Sequence, residues 1–178
     1  MRVKNFFSKT EINKILKENL IILVDTREKE KKHILDFFDS KGYQYENKKN
    51  DEGDYSIKIK AIPDMGLYKD IYIPVMIEKK NSVNELVQSI KQRTRFENEF
   101  LRASFKNEKI ILLVEEAEGY QNIITGKYNS DYKPKAFLGS LKSFEARYKF
   151  DTVFLDKKYS GNFIYWTLYY AAREYLKY

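Results

Sequence analysis

Short continuous apolar runs alternate along the chain with stretches in which apolar residues recur every three or four positions. Buried strands are therefore expected to exchange with amphipathic helices. Ser8 and Glu11 form a capping box, and Ile12, Ile15 and Leu16 give the stripe of a short opening helix that ends near Asn19. Leu20 to Val24 is apolar throughout and too short for a buried helix; it reads as a central strand that delivers Asp25 at its C-terminal end. Ile34, Leu35, Phe37 and Phe38 predict a helix stopped by Gly42, and Tyr43 with Tyr45 starts a second strand. Tyr55, Ile57 and Ile59 alternate with Ser56, Lys58 and Lys60, the period of a half-buried strand, until Pro63 and Gly66 break it. Ile71 to Ile77 is one β-forming run, closed by Glu78, Lys79 and Lys80, in which Pro74 predicts an edge position or a bulge.

Ser82 and Glu85 make a second capping box at the head of a helix through Ile90, and Phe96, Phe100, Leu101 and Phe105 mark another helix. Ile110 to Val114 is the next buried strand. Helices around Ile123 and from Pro134 to Tyr148 follow, then a strand from Thr152 to Leu155 and an aromatic helix to the C-terminus. This order predicts an α/β fold, a central mixed β-sheet flanked by helices. Residues 1–19 read as a helical extension and 20–178 as a single domain.

Composition narrows the function. The formal charge of +7, from 33 Lys and Arg against 26 Asp and Glu, favours a polyanionic partner. The absence of cysteine excludes disulfides, thiolate metal sites and thiol nucleophiles, so any metal must sit on oxygen or on the single histidine. The opening MRVKNFF leads into polar Ser8, Lys9, Thr10 and Glu11, so no apolar signal core forms, and no apolar run approaches membrane-spanning length. A cytoplasmic protein without a membrane partner is expected.

Two residues apart on a strand, Glu78 and Lys80 point to the same face while Lys79 points away. Metal-dependent phosphodiester cleavage needs that pairing: a carboxylate to anchor a hard cation, and an ammonium to orient water and stabilise charge developing on phosphorus. Asp54, beside a permissive Gly53 at the start of the preceding strand, is the natural second ligand if the two strands form a hairpin. Glu30-Lys31-Lys32, Glu46-Asn47-Lys48, Asp131-Tyr132-Lys133 and Asp156-Lys157-Lys158 repeat the acid-x-lysine spacing. Only Glu78 ends a long β-forming run and follows a Gly-Asp one element earlier.

Taken in order, Val24-Asp25-Thr26-Arg27-Glu28, Gly53-Asp54-Tyr55 and Ile77-Glu78-Lys79-Lys80 resemble the nuclease domain of the XPF/MUS family of structure-specific endonucleases. The resemblance runs on through Glu85-Leu86, Ser89-Ile90, Arg95-Phe96-Glu97 and the strand ending at Glu115, over roughly residues 20–178. It implies a restriction-endonuclease-like fold and Mg²⁺- or Mn²⁺-dependent cleavage of DNA near junctions of single and double strands, with no small-molecule cofactor. Asp54 and Glu78 would be metal ligands, Lys80 the catalytic lysine, and Asp25 a further catalytic carboxylate at the metal or behind it. The family signature reads Glu-Arg-Lys where this chain has Lys79, and it places an Asp shortly after its lysine where this chain has Asn84 and Glu85. The chain's compact form looks more like stand-alone bacterial or phage versions than like the eukaryotic members, and the resemblance implies roles in DNA repair or recombination. A DNA-binding module with lapsed catalysis and an RNA nuclease are the competing readings.

Arg27, Lys79, Arg93, Arg95 and Arg102 are the candidate nucleic-acid contacts, the last three in a basic stripe with Lys91 and Lys106. Glu28 and Glu85 are candidate supporting acids; Glu85 is also explained by the capping box. His33 reads as a surface residue. In the C-terminal helix Phe163, Trp166 and Tyr170 are expected in the core. The remaining aromatics would form a homodimer surface, the favoured reading, or a base-stacking platform.

Overall fold

The computed structural model describes residues 7–51, 53–106 and 108–177. Most of the opening segment expected to lack a signal core, residues 1–6, lies outside them. The class is α/β, with mixed strand pairing flanked by helices, as the pattern predicts. The chain divides into two compact units: residues 1–50, 55–75 and 161–178 form the first, and 51–54 with 76–160 the second.

In the first unit, α1 (Lys9–Asn19) starts from the expected capping box. The Glu11 N–H donates to Ser8 Oγ at 3.3 Å and the Ser8 N–H donates to Glu11 Oε2 at 2.6 Å. Its buried face is Ile12, Ile15 and Leu16. All six residues of β1 (Leu20–Asp25) are buried, because β1 is paired on both sides. β2 (Tyr45–Lys48) runs parallel to it and β3 (Tyr55–Ile59) antiparallel. A strand covered on both edges and both faces tolerates no polar position until its last residue. Between β1 and β2, α2 (Lys32–Lys41) ends on Gly42 at φ 68°, a left-handed C-cap.

Three expectations are corrected here. The run from Ile71 to Ile77 is two strands, β4 (Ile71–Tyr72) on β3 and β5 (Val75–Lys80), because Pro74 has no N–H to give a ladder and the chain turns there. Lys58 is buried rather than solvent-facing, held by Glu46 at 2.9 Å and Asp70 at 3.0 Å. In α7 (Ser160–Lys177) the core stripe is aliphatic, Ile164, Leu168, Ala172 and Leu176 at four-residue spacing, while Trp166 and Tyr170 are exposed. The helical period was present in both stripes; the more aliphatic one faces inward.

In the second unit β6 (Lys109–Val114) lies between β5 and β7 (Phe150–Phe154), parallel to β7. The last strand begins two residues earlier than Thr152, at Phe150. Helices α3 (Val83–Lys91), α4 (Arg93–Phe105), α5 (Gly119–Thr125) and α6 (Pro134–Tyr148) complete the unit. α3 buries Val83, Leu86, Val87 and Ile90, the i, i+3, i+4, i+7 stripe, and α4 buries Phe96, Phe100 and Ala103. Phe96, Phe100, Phe144 and Phe150 form one aromatic cluster, the closest rings 4.3 Å apart. Each such side chain contributes about 1.5–3 kcal/mol on burial, which fixes α4 against α6 and β7.

Candidate active site

Residues 51–54 belong to the same unit as β5, and Gly53 lets them approach it. Gly53 has φ 70°, and a Cβ there would lie 3.1 Å from the Met76 side chain and 3.3 Å from the Ile77 carbonyl oxygen. Only glycine fits both the backbone conformation and the space. Asp54 is thereby clamped to the strand. Its N–H donates to the Ile77 carbonyl at 2.9 Å, and its Oδ2 accepts the Lys79 N–H at 2.8 Å.

On the same strand, Glu78 and Lys80 share a face as the two-residue period requires: Lys80 Nζ donates to Glu78 Oε1 at 2.6 Å. Both are largely buried. Burial alone would lower the Lys80 pKa, but the Glu78 carboxylate outweighs it and the ammonium is held charged, with Glu99 and Asp54 adding to the effect. Glu99, on α4, also interacts with Glu78. Burial, then the charge and hydrogen bond of Glu78, push its carboxyl up to about 8. A carboxyl crowded against another ionises less readily, so Glu99 keeps its proton at neutral pH.

Among the described residues no group of three Asp, Glu, His or Cys is arranged to hold a metal ion. The donor set itself suits a hard divalent cation, because Asp54, Glu78 and Glu99 offer oxygen only.

Asp25 is held differently from Glu78. At the end of β1 its Oδ1 accepts from Arg27 N–H at 2.6 Å and Nε at 2.9 Å, and its Oδ2 from Arg27 Nη2 at 2.8 Å and the Asn50 N–H at 2.8 Å. Burial would raise its pKa, but these donors outweigh it and hold the carboxyl below the usual carboxylate range. Four N–H groups occupy the two oxygens, so Asp25 ties the β1 exit to the segment at Asn50 and gives no support to a ligand's role. Arg27 is spent largely on the same task, its Nη2 also donating to the Asn50 carbonyl at 2.8 Å.

A family model for the ERCC4 domain matches residues 24–166. This chain belongs to the ERCC4-domain family. Among solved structures, XPF from Aeropyrum pernix matches with TM-score 0.58 at 17% identity, over 87% of this chain and 64% of that one. XPF from Aeropyrum pernix in complex with DNA matches with TM-score 0.59 at 18% identity, over 88% of this chain and 65% of that one. At that identity the likeness shows the fold, which is restriction-endonuclease-like, and this chain spans just under two thirds of the length of those proteins. No curated protein matches the sequence.

The other predicted residues of this ERCC4 domain divide by burial. Lys79, expected to contact nucleic acid, is corrected: its side chain is fully buried, donating to Asn81 Oδ1 at 2.5 Å, with Glu115 Oε2 at 3.5 Å. A strand residue pointing away from the site face meets the protein interior here, and a charge there survives only when paired. Glu85 makes half of the expected box. Its N–H donates to Ser82 Oγ at 3.2 Å, but its carboxylate reaches past Ser82 to the Asn81 N–H and Nδ2 at 2.7 and 2.8 Å. It fixes the corner between β5 and α3 from outside the cluster of Asp54, Glu78, Lys80 and Glu99.

Glu28 accepts from the Glu30 N–H at 2.7 Å, a local turn contact. Arg93 pairs with Glu97 at 3.2 Å on the α4 surface, and Arg95 and Arg102 are exposed. His33 is only partly exposed, in α2. Glu99 was missed by sequence reasoning. Its signal was a charged residue three after Phe96 and one before Phe100, on the apolar flank of a helix that follows the Glu-x-Lys strand.

Proposed function

We propose that this ERCC4 domain is a divalent-metal-dependent endonuclease that hydrolyses DNA phosphodiester bonds. The observation that carries the reading is the pairing of Glu78 and Lys80 at 2.6 Å on one face of β5, with Asp54 held against the same strand by Gly53. The DNA-bound relative supports DNA as the polymer, and the resemblance supports substrates with branches or flaps.

Mg²⁺ or Mn²⁺ would be held by Asp54 and Glu78 with Glu99 beside them, and when bound would polarise a phosphoryl oxygen and acidify a water. Lys80 does the rest as a cation. Held protonated by Glu78, it is no base at neutral pH; it donates hydrogen bonds to the attacking water or to the oxygen on which charge develops. Glu99 is the group in the cluster able to carry a proton near neutrality, and so to release one as positive charge arrives. Lys79 and Asn84, the departures that suggested lapsed catalysis, have structural tasks of their own: Asn84 Oδ1 accepts the Asn129 N–H at 2.7 Å.

Labelled linear, flapped and four-way DNA incubated with the protein tests the reading. Cleavage is expected with Mg²⁺ or Mn²⁺ and abolished by chelation, and undiminished cleavage in excess EDTA would overturn it.

A further inference from the structure

The first unit holds a cleft that no role above uses. Lys17 in the last turn of α1 and Lys41 in the last turn of α2 stand on its rim, and Tyr43, Tyr165, Trp166 and Tyr169 line it. Its volume is about 430 Å³, within the range of small-ligand sites, roughly 300–1,000 Å³. The aromatic rings are already ordered against one another. Tyr43 and Tyr165 stack with centroids 3.4 Å apart and planes 2° from parallel, and Trp166 meets Tyr165 and Tyr169 edge-on at 5.0 and 5.2 Å. Trp166 is nonetheless 40% exposed.

No carboxylate lines the cleft, and neither lysine has a carboxylate partner among the described residues. An apolar face alone would not name its occupant. Aromatic faces lining one cleft with two lysines complement a ligand with flat rings and negative charge repeated along a backbone.

We propose that this cleft binds unpaired bases of single-stranded DNA, stacking them on Trp166 and Tyr169 while Lys17 and Lys41 meet the flanking phosphates. The proposal rests on the nuclease reading only in taking DNA as the polymer; the cleft lies in the unit that does not hold Glu78 and Lys80. Such a site would hold the unpaired arm of a flap or fork without reading its sequence, since every base offers a face to stack on.

Trp166 is the sole tryptophan, so its emission reports the cleft directly. The full chain is titrated in EDTA, which blocks metal-dependent cleavage, with oligothymidylate and with an abasic oligodeoxynucleotide of equal length. Oligothymidylate should quench Trp166 and the abasic strand should not. In Lys17→Glu/Lys41→Glu, which keeps the reporter and alters exposed positions, affinity should fall about tenfold or more and the slope of log affinity against log salt should flatten by about two. Trp166→Ala, followed by anisotropy, should lose affinity for oligothymidylate and keep its affinity for blunt duplex.

Equal quenching by the abasic strand, or no quenching, overturns the proposal. So does a Trp166→Ala protein that binds oligothymidylate like the wild type but changes from dimer to monomer in light scattering, because the face would then join two copies. Glu78→Gln separates the two readings: it should abolish cleavage and leave Trp166 quenching unchanged. A protein that quenches normally but never cuts DNA retains the cleft and loses the nuclease.

Discussion

Two buried carboxylates stand near the C-terminal ends of strands, one in each unit, and their surroundings oppose each other. Asp25 meets four N–H donors and is held ionised; nothing about it is unfinished. Glu78 meets the Lys80 ammonium and also a second carboxyl, Glu99, whose pKa is pushed up to about 8 by burial and by Glu78. Burial with matched donors marks a joint in the fold, whereas burial against a like group marks a place prepared for something else. The sequence puts both acids at the ends of apolar runs, so strand position alone does not separate them.

Substitution at the two positions should therefore fail in different currencies. Glu78→Gln is expected to lower single-turnover cleavage by about 10³-fold or more, whereas its effect on the urea midpoint is the difference of two opposed changes, the Lys80 ammonium losing its carboxylate and Glu99 losing a like-charged neighbour. Asp25→Asn should act on stability instead. Exchanging an acceptor for an NH₂ group leaves donors facing donors, and a loss of about 2 kcal/mol in urea unfolding is expected, with cleavage per folded molecule changed much less. The depressed pKa of Asp25 gives stability that is present above the unfolded carboxyl's ordinary value and lost as pH falls through the lower folded value; the asparagine variant should lack that loss. An Asp25→Asn protein as stable as the wild type but unable to cut would break the comparison.

The smallest effect is the sharpest. Glu99, with its carboxyl at about 8 against an ordinary value near 4.5, binds a proton in the folded state that the unfolded chain releases. Metal-free stability should consequently be greatest below the unfolded value and decline as pH rises toward 8. Glu99→Gln removes that decline, so its Tm should exceed the wild type's by about 2–4 °C at pH 8, the equivalent of about 1 kcal/mol, and by little near pH 5. Equal Tm values at both pH values would mean that the fold does not hold Glu99 protonated.

Much of this was legible in the chain. The apolar run at Leu20–Val24, the caps at Ser8 and Gly42, the α3 stripe and the strand-face pairing of Glu78 with Lys80 all follow from spacing, because local period and local geometry agree there. What escaped depends on partners distant in sequence. Lys79 and Lys58 look solvated until Glu115 and Asp70 come to meet them. Glu85 looks like a cap until Asn81 offers two nearer donors. In α7, aromatic and aliphatic stripes share one helical period, and hydrophobicity by itself does not say which turns inward. Glu99 is visible only once α4 lies beside β5.

The central claim, that β5 carries a catalytic pair in which Glu78 anchors and Lys80 acts, is tested most directly by Lys80→Ala. Single-turnover DNA cleavage and metal titration by calorimetry would be run on the same folded preparation. The account predicts that cleavage falls by about 10²-fold or more while divalent-metal affinity stays within about twofold of the wild type. Cleavage at the wild-type rate would make Lys80 only the ion-pair partner of Glu78 and would contradict the account.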